Sequence, residues 1–171
     1  IFVAAFCAKV VTENIASRNH FSSVIPLNLF TMKIKAIKIL KNKDVLVYNK
    51  RIDSTLRGNI GTEINAMLDN LEDDRIAVVV PAYPDSGRIV VNKTMLVNGV
   101  LLENSDAGKD PKTPIKTSCV ESLVQKDIKY SSTYFTLSDI AQPIEEIAKK
   151  IQEAIKKSRV LIFDTVNNDM I

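Results

Sequence analysis

The clearest periodic signal lies between residues 60 and 71. Ile60, Ile64, Met67, Leu68 and Leu71 recur at i, i+4, i+7, i+8 and i+11, which is one face of an amphipathic helix. Asn59, a favourable N-cap residue, is expected to start this helix, and the acidic turn at 72–74 to end it. IAVVVPA (76–82) follows as a continuous β-branched run, the pattern of a strand covered on both faces in a parallel sheet. RVLIFDT (159–165) repeats that pattern and carries Asp164 at its carboxyl end. TYFTL (133–137) reads as a further strand. It leads into a helix with Ser138 or Asp139 as cap, Pro143 in its first turn, and a stripe of Ile144, Ile147, Ala148, Ile151 and Ile155.

The remaining stretches are less periodic. AKVVTEN (8–14) reads as a short strand, residues 29–40 as a helix and VLVY (45–48) as a buried strand. YPDSGR (83–88) is a turn. Residues 89–103 read as two short strands, with Asn98–Gly99 as a tight hairpin turn. Residues 104–118, with Pro111 and Pro114, form a long polar loop, and 119–126 a short helix. Strands alternating with helices predict an α/β domain: a mainly parallel sheet with helices on both faces, plus a β-hairpin extension.

Composition adds exclusions. The chain's 171 residues suit one domain with a real core. A net charge of +3 and 6% aromatic residues permit an anionic ligand without indicating nucleic acid. The lysines at 33, 35, 38, 41 and 43 read as a solvated helix face; a nucleic-acid surface there would show a steep salt dependence of binding. His20 is the sole histidine, so a multi-His metal site is excluded, and it reads as a loop residue. Cys7 and Cys119 form no CxxC pair and read as reduced, largely buried thiols of a cytoplasmic protein. No apolar run approaches the roughly 18 residues a membrane helix needs. Asn92–Thr94 matches a glycosylation sequon that nothing else supports.

One segment resists any packing explanation. KRIDSTLRGNIG (50–61) brings Lys50, Arg51, Asp53, Ser54, Thr55 and Arg57 together between a strand and a helix. That position is the carboxyl edge of the sheet, where open α/β folds bind ligands. Backbone N–H groups at a helix start attract anions, and glycines there allow close approach. The cations suit a carboxylate or phosphate, while Asp53 and Ser54 suit hydroxyls. The combination fits a small, hydroxyl-rich acid such as a sugar acid. Neither GxGxxG nor GxxxxGK[ST] occurs, so no complete nucleotide site of either type is visible.

YNKRIDSTLRGNIGTEI, VVVPAYPDSGR, VNGVLLENS and KDPKTPIKTS, in this order, resemble the N-terminal domain of the four-carbon acid sugar kinase family. That family includes threonate, erythronate and 3-oxo-tetronate kinases. The resemblance implies that residues 1–171 are a sugar-acid-binding N-terminal domain, cut at both ends, with the family's C-terminal ATP-binding domain absent. ATP and Mg²⁺ would serve the full-length enzyme, with neither bound by this chain alone. Matching positions imply substrate contacts for Arg18, Lys50, Arg51, Asp53, Ser54 and Arg57. Asp53 is also the candidate catalytic base, and Arg88 a residue of the cleft. Asp110 is expected to shape a turn, and no metal ligand is assigned. The implied partner is a small sugar acid, not nucleic acid or membrane. An uncovered sheet edge leaves a homo-oligomer open. The alternative is a non-catalytic sugar-acid-binding or regulatory module.

Overall fold

The computed structural model describes residues 50–71 and 75–171, together with residues 35, 37–39, 41 and 48. The expected strand at 8–14, residues 45–47 of the expected strand at 45–48, most of the 29–40 helix, Cys7, Arg18 and His20 lie outside the described residues. Lys35 and Ile37 to Ile39 are helical. Ile37 packs with Met67 and Leu71, while Lys35, Lys38 and Lys41 are exposed, as a solvated face requires.

The first complete element is helix α1 (Ile60–Leu68). It buries Ile60, Ile64, Met67 and Leu68, the face that the spacing marks out. Strands β1 (Ala77–Val79), β5 (Ser132–Phe135) and β6 (Val160–Phe163) form a parallel sheet in the order β1-β6-β5. Registers pair Ala77 with Val160 and Ser132 with Val160. Alternation along these strands divides their side chains between two packing layers. Ala77, Val79, Val160 and Ile162 join α1 in the main core. Val78, Leu161, Phe163 and Phe135 instead meet Ile140, Ile151, Ala154 and Ile155.

A separate antiparallel sheet forms between β1 and the next helix. Its strands are β2 (Arg88–Val91), β3 (Thr94–Val97) and β4 (Val100–Leu101), in the order β2-β3-β4. The expected Asn98–Gly99 turn is present, but there is a second hairpin. Asn92 and Lys93 make its two-residue turn with φ of 45° and 67°. Such a turn demands positive φ at both positions, and Lys at the second hides it from a search for Asn-Gly. Val90 and Met95 carry this sheet into the main core, where they are fully buried. The long loop is likewise anchored: Leu102, Ala107 and Ile115 are buried in the same core, and helix α2 (Val120–Gln125) adds Val120 and Val124.

The expected single helix after β5 is two. Helix α3 (Leu137–Ile140) is capped by Thr136, not by Ser138 or Asp139. Asp139 is instead the reciprocal partner in a capping box, accepting from the Thr136 amide at 3.0 Å and its hydroxyl at 2.7 Å. Helix α4 (Ile144–Ala154) then starts afresh with Pro143 at its N-cap. Proline tolerates a first turn and disfavours the preceding residue in a helix, which accounts for the break. Ile144 consequently leaves the stripe and is 71% exposed.

Candidate functional site

The ends of the parallel sheet can be told apart by their contacts. Arg159, just before β6, donates from Nη2 to the Leu68 carbonyl at 3.5 Å. The last residue of α1 therefore lies at the sheet's amino edge, and the start of α1, with the loop at 50–59, at its carboxyl edge. The chain leaving β6 runs along the same edge, where Thr165 pairs with Val90 of β2.

The loop has a fixed shape. Asp53 Oδ2 accepts from Arg57 Nε at 2.6 Å and from Thr55 Oγ1 at 2.9 Å. Among the described residues its Oδ1 receives only a long contact, 3.3 Å, from the Thr55 amide. The Leu56 amide closes the turn onto the Asp53 carbonyl at 2.9 Å. Leu56 itself has φ of +57° with its side chain buried in the main core. A branched residue in that region is strained, and such strain persists where surrounding contacts over-determine it. Here a buried anchor at Leu56 and a hydrogen-bonded carboxylate at Asp53 hold the loop from both sides.

Arg57 ties this loop to one that is far away in sequence. Its Nη1 donates to Asp110 Oδ2 at 2.8 Å. Asp110 Oδ1 meanwhile accepts from the Lys112 and Thr113 amides, each at 2.9 Å. Asp110 is thus the turn residue expected, and it also anchors Arg57. Partial burial pushes the Asp53 carboxyl up, but the hydrogen bonds from Arg57 and Thr55 outweigh it and leave the group below the usual carboxylate value. The bonds from Asp53 and then Asp110 raise Arg57 above its ordinary value.

The other candidates are arranged differently. Lys50 forms an ion pair with Glu63 of α1. Arg51 is exposed, and neither its guanidinium nor the Ser54 hydroxyl has a partner among the described residues. Arg88 opens β2, and its Nε is buried without a hydrogen-bond partner. Asn59 occupies the N-cap position, but its side chain makes no capping bond. Gly61 is needed for the protein's own packing, since a Cβ there would stand 3.0 Å from the backbone of Asp127. Cys119 is a free, half-buried thiol that accepts a hydrogen bond from Ser122 at 3.2 Å.

Sequence reasoning found no role for Asp164, which is fully buried at the same sheet edge. Its Oδ2 accepts from the Asn92 amide at 2.6 Å and the Leu137 amide at 2.9 Å. Its Oδ1 accepts from the Lys93 amide at 2.9 Å and the Tyr134 hydroxyl at 2.7 Å. One carboxylate thus fastens the β2–β3 turn, the start of α3 and β5 to the end of β6. Burial, then the bond to Asp164, pushes the Tyr134 hydroxyl far above its ordinary value. Its place at the end of an apolar strand was the only signal in the sequence.

A family described as a sugar-binding N-terminal domain matches residues 31–171. The chain belongs to this family. Among curated relatives, the D-erythronate kinase of Heliobacterium modesticaldum is 41% identical over 145 residues, 83% of this chain and 33% of that protein. The D-threonate kinase of Salmonella typhimurium is 44% identical over 79 residues, 46% of this chain and 18% of that protein. The chain thus spans about a third or less of the length of these relatives. A crystal structure of a Haemophilus influenzae protein superposes with a TM-score of 0.73 at 25% identity, covering 85% of this chain and 36% of that one. The sugar-binding family match includes every element described above, with the 50–57 loop and Asp110 inside it. None of the described helices is long and apolar enough to cross a membrane.

Proposed function

We propose that this domain is the substrate-binding part of an ATP-dependent kinase that phosphorylates a hydroxyl of a four-carbon sugar acid. The observation that carries the reading is the 50–57 loop itself. It is held rigid by Asp53, Leu56 and Arg57, yet leaves Arg51, Ser54 and Asp53 Oδ1 with bonding capacity to spare. A site built this way spends no binding energy on ordering itself when ligand arrives. The kinase names of the relatives supply the reaction class, and the sugar-binding family the ligand class.

In this reading Arg51 and Lys50 supply positive charge for the acid's carboxylate. Asp53 Oδ1 and Ser54 take its hydroxyls. Arg57 acts through Asp53, because two carboxylates already engage it. Arg18 would add a further cation. Phosphoryl transfer proceeds through a loose transition state, so orientation of the attacking hydroxyl matters more than base strength. A carboxylate held below its usual pKa can do that work: it stays ionised, accepts the hydroxyl's hydrogen bond and receives the proton late. ATP with Mg²⁺ is the phosphoryl donor of the proposed enzyme. Among the described residues no group of three or more His, Cys, Asp or Glu side chains converges on a metal position. The steps assigned to this chain are binding and orientation of the acid and acceptance of its hydroxyl proton by Asp53. The protein works in the cytoplasm on this reading.

Steady-state kinetics of the intact enzyme with Mg-ATP and D-erythronate or D-threonate test it. Asp53→Asn should lower kcat/KM about 100-fold, the scale of lost acid–base assistance. Arg51→Lys keeps charge but loses the planar fork, and should mainly raise KM for the acid. Unchanged kinetics in both variants would return the loop to a merely structural role.

A further inference from the structure

Arg88 is placed where a cation needs a reason. Its Nε is buried, and its side chain makes no hydrogen bond or ion pair among the described residues. The residue is half-buried and Nε is the atom cut off from solvent; native structures rarely leave a buried donor without an acceptor. The backbone around it is firmly set. Tyr83 and Arg88 exchange both of their backbone bonds, at 2.8 and 3.1 Å. Gly87, at φ +66°, lets the turn approach Asn98 so closely that a Cβ would lie 1.9 Å from its side-chain oxygen.

Its direction and position are also set. Alternation puts Arg88 on the same face of β2 as Val90, the fully buried residue that faces the main core. The loop leading into Arg88 leaves the carboxyl end of β1, and the chain leaving β6 pairs with β2 two residues further on. Ala82 and Ile52, from the loops on either side, pack against the same core. Arg88 therefore stands at the carboxyl edge that carries the 50–57 loop, facing inward, while Arg51 stands exposed.

We propose that Arg88, from the inner side of the site, joins Arg51 and Lys50 in taking the anionic group of the ligand and carries most of the selection of acids over neutral polyols. The proposal rests on the sugar-acid reading above. A guanidinium offers two parallel N–H donors to a carboxylate or to a phosphoryl group, and Nε is one arm of such a fork. The bound oxyanion supplies the acceptor that Nε lacks.

The test is calorimetric titration of this chain with D-erythronate, with erythritol as the neutral counterpart, and with inorganic phosphate. Wild type and the Arg88→Met and Arg88→Lys variants are compared, with thermal melts of each. Wild type should bind the acid at least tenfold more tightly than the polyol. Arg88→Met should lose most of that preference, leave polyol binding unchanged, and melt no lower than wild type without ligand, because it removes a buried donor that lacks an acceptor. Arg88→Lys should recover part of the preference. If Arg88→Met keeps acid affinity but loses phosphate binding, the selection of acids is overturned and Arg88 serves a phosphoryl group instead. Acid and phosphate binding both unchanged in Arg88→Met would overturn the proposal alone. No acid binding by wild type would overturn it together with the reading on which it rests.

Discussion

Two aspartates at one edge of the sheet are used in opposite ways. Asp164 is fully buried and receives four hydrogen bonds, all from the protein. Asp53 is half-buried, and one of its oxygens is crowded by Arg57 and Thr55 while the other has, among the described residues, only a 3.3 Å contact. The first has nothing left to offer a ligand; the second is oriented and still open. Saturation, more than burial or charge, separates a structural carboxylate from one fit for chemistry. Arginines divide the same way: Arg57 is satisfied by two carboxylates, and Arg88 by none among the described residues.

Removing Asp164 should have the largest effect on the fold. Asp164→Ala strands three amides and a tyrosine hydroxyl, and should lower the unfolding free energy by roughly 3 kcal/mol or more. Denaturant melts check this; a loss under about 1 kcal/mol would mean that water replaces those bonds easily. Thr136→Ala removes one half of the capping box and should lower the same quantity by about 1 kcal/mol. Ser138→Ala, at the residue expected from sequence to cap, should do less in the same melts. Asp53→Asn should change stability by no more than about 1 kcal/mol, despite its large effect on turnover.

Acid titration should have the most gradual effect. Bonds from Lys150 and Thr136 hold Asp139 down to about 2, and Asp53 also lies below the usual carboxylate value. Groups with depressed folded-state values contribute stability above their unfolded value and lose it as pH falls through the folded one. Stability from Asp139 should thus be intact above about pH 4 and fall away towards pH 2. Unfolding monitored across that range checks the sign. Asp139→Asn should flatten the acid limb.

The sequence reading succeeds where structure is local. The α1 stripe, the apolar runs of β1 and β6 and the charge-dense loop are each legible within a dozen residues, because helical period, burial on two faces and turn chemistry act at short range. It fails where a residue's partner is distant. Arg57 and Asp110 are 53 positions apart, and Asp164 and Asn92 are 72 apart. Nothing within either segment announces the other. The Asn92–Lys93 turn is weakly marked for a different reason: it places a lysine where glycine is the usual sign. The break between α3 and α4 was also missed, because Pro143 reads equally well as a first-turn residue of one helix and as the N-cap of a second.

The most direct test of the central claim is calorimetric titration of D-erythronate into wild type and Asp53→Asn, with a thermal melt of each. The account expects saturable binding by wild type. In Asp53→Asn it expects affinity at least tenfold weaker, a loss of about 1.4 kcal/mol, with a melting temperature within a few degrees of wild type. Equal affinity in the two proteins, or no binding by wild type, would contradict it.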